Sequence, residues 1–157
     1  MVCLDAGDVA LRPEPGYPPY PSGPVFSGAD VHYLPLNPEN DFFPDLDAIS
    51  LDVVERANLL YLNYPNNPTG AVVPSGAFER AVEFARANDL ILVHDNAYSE
   101  VCFDGYEAPS FLETPGAKDV GVEIFSLSKG WNMTGWRVGW IAGNAEVVER
   151  YRHLKTN

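Results

Sequence analysis

The chain has 157 residues, 46% of them hydrophobic, and a formal net charge of −12. That is the length of one ordinary domain, with enough apolar residues to build a core. The acidic balance repels a phosphate backbone and anionic lipid alike, so it argues against nucleic-acid and membrane partners.

Val9 to Arg12 reads as a short strand, followed by PEPGYPPYPSGP (13–24). Proline fixes φ and lacks a donor, so this stretch is expected to be a loop, neither helix nor central strand. Asp30 to Leu36 is a second strand candidate, and NPENDFFPDLDAIS a turn leading into a short helix. NLLYLNYP is an apolar strand ending in a proline-rich turn. From Pro74 to Asp89 the spacing is helical, with Phe78, Val82 and Ala85 on one face. LILVHD is a nearly unbroken apolar run, as in a strand buried on both faces. VEIFSLS and RVGWIAG are two further strands, and NAEVVERYRHLK closes as a helix with Asn144 as its N-cap. Alternating strands and helices predict an α/β fold, a three-layer αβα sandwich around a mostly parallel sheet. In such sheets ligands bind beyond the carboxyl ends of the strands.

Three motifs fall at those ends. NYPNNPTG (63–70) alone is a rigid turn, since turn asparagines commonly bond their own backbone. In HDNAYSE (94–100), Asp95 follows buried apolar residues, where a carboxylate is costly without a cation or donors to meet it. It caps the next helix or pairs with a cationic ligand, and Tyr98 can point into the same space. In SLSKG, Lys129 follows a buried strand and precedes GWNMTGW, with Arg137 eight residues on. A lone lysine is usually solvated. A desolvated one has a lowered pKa and serves as nucleophile or base. Ser126, Ser128 and Arg137 offer donors for a phosphate, Arg137 as a bidentate fork. A nucleophilic amine, a buried carboxylate, a phenol, a turn amide and phosphate donors together meet the requirements of pyridoxal 5'-phosphate.

NNPTG, HDNAYSE and SLSKGWNMTGWRVGW, in this order, resemble the large domain of fold-type I, class I/II aminotransferases. FDGYEAPSFLETPGAKDVGVE running into SLSK and NMTGWRVG is most similar to LL-diaminopimelate aminotransferase-like members. The resemblance implies that Lys129 forms the Schiff base with the cofactor aldehyde and later shuttles the substrate proton. Asp95 would pair with the pyridinium nitrogen, and Tyr98 and Asn67 would bond the ring's phenolic oxygen. Ser126, Ser128 and Arg137 would contact the phosphate, Tyr17 of PGYPPY would stack on the ring, and Ala97 would pack on its other face. The implied reaction is transamination between an amino acid and a 2-oxo acid, with aspartate, alanine and aromatic donors open besides diaminopimelate. Such enzymes commonly act as homodimers.

The family is longer than this chain, so residues 1–157 are expected to be a partial large, cofactor-binding domain. Its N-terminal part and the C-terminal small domain would be absent, the isolated chain inactive, and apolar surface exposed. Other fold-type I lyases or synthases, and a non-catalytic sensor that binds the same cofactor, share these residues. SLSK also fits the S-x-x-K of serine β-lactamases, but S-D-N and K-T-G are missing.

The remaining residues read more plainly. His94 is expected as a packing residue rather than a group that tunes Asp95, and Trp131, Trp136 and Trp140 as core. Cys3 and Cys102 have no C-x-x-C partner and read as reduced thiols; no His/Asp cluster has metal-ligand spacing. MVCLDAGDVALRPEP has no basic n-region and no long apolar run, which places the protein in the cytoplasm as an expectation.

Overall fold

A computed structural model of the chain describes residues 2–156. Strands β1 (Val9–Glu14), β2 (Asp30–Pro35), β3 (Ala57–Asn63), β4 (Ile91–Asp95), β5 (Gly121–Ser126) and β6 (Gly139–Gly143) form one sheet in the order β2-β1-β3-β4-β5-β6. The pairings from β2 to β5 are parallel, and β6 runs antiparallel to β5.

Helices α1 (Ser22–Ser27), α2 (Leu51–Val54), α3 (Ala77–Ala87), α4 (Ala117–Val120), α5 (Leu127–Gly130) and α6 (Ala145–Thr156) complete the layers. On one face of the sheet Leu60, Leu62 and Leu92 pack with Phe78, Val82 and Ala85 of α3 and Ala117 of α4. On the other, Leu59, Val93 and Val122 pack with Val147 of α6. This is the expected αβα sandwich. The predicted stripe of α3 is its buried face, and Asn144 caps α6 by accepting from the N–H groups of Glu146 and Val147, both at 3.1 Å.

Side chains alternate across a strand. Val93 and Leu59 face the α6 side, so Asp95 and Asn63, two and four residues on, face it as well. Ile124 and Ser126 share it with Val122. The polar strand ends therefore converge on one face, at the carboxyl edge of the sheet.

Several expectations change. Pro13 lies within β1, and α1 begins at Ser22 inside the expected loop. Both are tolerated for the same reason. Pairing of β1 with β3 ends at Leu11, before Pro13 would owe that neighbour a donor. Pro24 sits in the first turn of α1, where N–H groups have no intrahelical partner. The strand predicted to reach Ser128 stops at Ser126, and Ser128 and Lys129 belong to the single turn α5. The strand predicted from Arg137 starts at Gly139, because Thr134–Trp136 forms a 3-10 turn and Arg137 has φ 53°.

The tryptophans also depart from expectation. Trp131, Trp136 and Trp140 are 48%, 72% and 50% exposed rather than core. β6 is an edge strand: α6 packs on its Ile141 side, while the Trp140 ring stacks on Phe125 and stays half exposed. With Phe103 and Val101 exposed as well, these rings give the chain the bare apolar surface that its sequence leads one to expect.

Candidate active site

At the carboxyl edge of β3, β4 and β5 lies a cavity of about 390 Å³, within the range of small-molecule sites. Tyr17, Asn67, Asp95, Ala97, Tyr98, Ser126, Ser128, Lys129 and Arg137 all line it, together with Tyr20, Asn63, Ile124 and Thr134. A larger cleft of about 670 Å³ lies between residues 40–47 and α3. It is rimmed by Asp41, Asp45, Asp47, Glu83 and Arg80, without the joined nucleophile, phenol and guanidinium of the smaller one. Chemistry rather than size singles out the smaller cavity.

Each side chain reaches it for a local reason. β4 ends at Asp95, so its carboxylate stands at the mouth of the sheet. The next residues turn over the edge, where Asn96 N–H donates to the Ile124 carbonyl at 2.8 Å and carries Ala97 and Tyr98 inward. Ser126 ends β5 and caps α5, its Oγ accepting from Ser128 N–H at 3.2 Å; this turn delivers Lys129. The Lys129 amine lies 6.0 Å from the centroid of the Tyr98 ring. Asn67 Nδ2 donates to the Tyr98 hydroxyl at 3.4 Å. Thr134 Oγ1 donates to the Ser128 carbonyl at 3.0 Å, and Arg137 Nη1 to the Thr134 carbonyl at 2.9 Å. Arg137 adopts a left-handed backbone conformation and lines the same cavity.

The sequence motifs do not single out Tyr20 or Asn63. The Tyr20 hydroxyl donates to Asp95 Oδ2 at 2.8 Å, and its ring lies 5.0 Å from that of Tyr61 at an interplanar angle of 6°. Burial raises the Tyr20 phenol well above the usual tyrosine range, and the charge of Asp95 and the bond to it push the same way. The phenol therefore stays protonated and donates. The available signal is its spacing, three residues after Tyr17 in PGYPPY. Asn63 donates from Nδ2 to the Asp95 carbonyl at 2.8 Å and accepts from Asn67 N–H at 2.8 Å.

His94 lies on the other face of the sheet. It is fully buried, edge-on to Phe78 with ring centroids 4.8 Å apart, and its Nδ1 is 3.0 Å from Glu123 Oε2. This is the packing role expected for it. Among the described residues, no group of three or more His, Cys, Asp or Glu side chains is placed to hold a metal ion. No helix among them is long and apolar enough to cross a membrane.

The donor set fits an anionic aromatic aldehyde. An amine can bond the aldehyde, a carboxylate can balance a ring cation, and a phenol and an amide converge beside them. Two serine hydroxyls and a guanidinium stand ready for an anionic tail.

Comparison with known proteins places this arrangement. The chain is 54% identical over 154 residues to the LL-diaminopimelate aminotransferase of Moorella thermoacetica, covering 98% of this chain and 40% of that protein. It is 49% identical over 157 residues to the enzyme of that name from Gloeobacter violaceus, again covering 40% of it. The substrate-bound structure of BacF from Bacillus subtilis superposes with a TM-score of 0.94 at 43% identity, over 98% of this chain and 39% of that one. A probable N-succinyldiaminopimelate aminotransferase from Thermus thermophilus gives 0.91 at 41% identity, over 99% and 41%. The chain thus spans about 40% of the length of the curated relatives it matches. The signature of the family described as aminotransferase class I and II matches residues 1–157, and with the shared sheet this makes the chain a member of the class I and II aminotransferases.

Proposed function

We propose that residues 1–157 are the cofactor-binding part of a pyridoxal-phosphate-dependent aminotransferase that moves an amino group between an amino acid and a 2-oxo acid. The observation that carries this reading is the convergence of Lys129, Asp95, Tyr98, Asn67 and Arg137 on one cavity. Kinship to proteins named LL-diaminopimelate aminotransferase favours a diamino dicarboxylic acid as the donor. The reading extends to a homodimer, as the resemblance of the motifs implies, in the cytoplasm.

When bound, pyridoxal phosphate supplies an aldehyde that captures amino groups and a ring that accepts the electron pair released at the substrate α-carbon. Lys129 supplies the amine for the aldehyde. When not bonded to that aldehyde, the same Nζ would take the substrate α-proton and return it. Asp95, held by Tyr20, would stand against the ring nitrogen. Tyr98 and Asn67, already in contact, donate to the phenolic oxygen. Arg137, with one N–H anchored on Thr134, presents the rest of its fork to the phosphate alongside Ser126 and Ser128. Tyr17 and Ala97, which also line the cavity, would pack on the two faces of the ring, as the resemblance implies.

Ser126 does stand at a helix start, as S-x-x-K chemistry requires, but α5 is a single turn and the partner motifs are missing from the sequence.

Titrating the purified chain with pyridoxal phosphate tests the proposal. A visible absorption band is expected, lost on borohydride treatment as the cofactor becomes fixed to the peptide carrying Lys129. Lys129→Ala should show neither. A band of equal strength in the alanine variant would defeat the assignment.

A further inference from the structure

We propose that Asn63 is a positioning residue that sets the spacing between the two ends of the cofactor site. The inference rests on the cofactor reading above and deepens it.

β3 and β4 run in parallel register up to the pair Asn63 and Asp95. Beyond it the ladder cannot continue evenly, because Pro65 has no N–H. The Asn63 side chain takes over there. It is 2% exposed. Its Nδ2 donates to the Asp95 carbonyl and its Oδ1 accepts the Asn67 N–H, both at 2.8 Å. One amide thus ties together the main chains of the two residues assigned to opposite ends of the ring: Asp95 for the nitrogen, Asn67 for the phenolic oxygen. Two main-chain anchors on a buried, two-ended group leave little freedom for either end to drift.

The residue type follows from the bonds. One end must donate and the other accept, which only a carboxamide does at this length. A carboxylate can keep the bond from Asn67 N–H but cannot donate to Asp95. A hydrocarbon of similar size keeps neither and strands a buried carbonyl and N–H. The turn beyond is tied to the same point: Asn66 Nδ2 donates to the Asn63 carbonyl at 3.3 Å, and Asn66 Oδ1 accepts from Thr69 Oγ1 at 2.7 Å.

The experiment has two arms, applied to the full chain and to Asn63→Leu and Asn63→Asp. In the first, amide exchange is followed by NMR without cofactor. Asn63→Leu is expected to speed exchange of the Asn67 amide about tenfold, while α3 and α6 keep their protection. Asn63→Asp should leave Asn67 protected. In the second arm, pyridoxal phosphate is titrated by absorbance. Both variants are expected to bind about tenfold more weakly, Asn63→Asp through the Asp95 end alone. Unchanged Asn67 exchange in Asn63→Leu, or unchanged cofactor affinity in both variants, overturns the proposal, as does equal loosening of α3 and α6, which marks a general packing role. Asn63→Asp carries the test should the leucine variant not fold. A wild-type chain that takes up no pyridoxal phosphate overturns the cofactor reading, and the exchange arm then still decides whether the tether exists.

Discussion

Tyr20 and Asp95 are joined by a 2.8 Å hydrogen bond across 75 residues of sequence, with the phenol donating and the carboxylate accepting. The Tyr20 ring stacks on that of Tyr61, which gives the carboxylate a held partner at the cavity wall.

Tyr20→Phe removes that donor and little else. Its affinity for pyridoxal phosphate should fall about threefold to tenfold, measured by absorbance titration. A wild-type affinity would show that the bond does not serve the site.

The same phenol predicts an alkaline limb. Its proton affinity is higher folded than unfolded, chiefly through burial, and unfolded tyrosines ionise from about pH 10. Its stabilising contribution is therefore complete below that pH and is lost as pH rises above it. Tyr61 and Tyr64 are shifted the same way by burial. Tyr20→Phe should flatten the limb, though not abolish it, in urea melts taken at a series of alkaline pH values; an unaltered slope would contradict the assignment.

Arg137 is assigned to the phosphate alone, so its loss should be selective. Arg137→Ala should shrink the preference for pyridoxal phosphate over pyridoxal by about tenfold to a hundredfold, since charge-assisted bonds contribute about 1.5–3 kcal/mol each. Titrating both compounds against wild type and variant measures the ratio. Equal losses for both would move Arg137 away from the anion.

Glu123 predicts an acid limb. Burial raises its carboxyl, but the hydrogen bond and charge of His94, with donors from Asn96 and the Phe111 N–H, outweigh that and leave it below the ordinary value of 4.5. The contribution is present above that pH and is lost as pH falls through the lowered value. Glu123 also accepts from Ser110 Oγ at 3.0 Å, so it pins the 110–113 segment to β5. Glu123→Ala strands the Phe111 N–H and Ser110 hydroxyl, and should cost about 1–3 kcal/mol at neutral pH and flatten the acid limb in denaturant melts. A variant with a wild-type acid limb would place the titration elsewhere.

Gly139 opens β6 directly against β5. A β-carbon there would collide with the Phe125 carbonyl of the neighbouring strand. Gly139→Ala should push β6 away, cost about 1–3 kcal/mol and displace Arg137 just before it. A lowered melting temperature together with weaker pyridoxal phosphate binding is expected; full stability would mean the strand gives way freely.

What the amino-acid order alone makes legible is local. The buried run LILVHD announces a strand with a carboxylate at its end, and α3 announces itself by its apolar stripe. Lys129, Asp95 and Asn67 stand out because each sits in a short motif at a strand end. Tyr20 does not, and Asn63 opens NYPNNPTG without standing out in it. Their meaning lies in bonds to a residue 75 and 32 positions away, and no local pattern encodes a bond of that separation. The tryptophans mislead for the converse reason. Their size suits a core, but only the strand order reveals that β6 is an edge, where these rings stay half exposed or more.

By itself, then, the sequence determined which groups this protein has for chemistry and that they stand at strand ends, since periodicity and turn propensity are short-range effects. The tertiary structure decided that those ends meet on one face, that Asp95 is held by Tyr20 and Asn63, and that Arg137 joins them at one cavity. Those outcomes depend on strand order and on the two-residue alternation of each strand across the sheet, which exist only once distant segments have packed together.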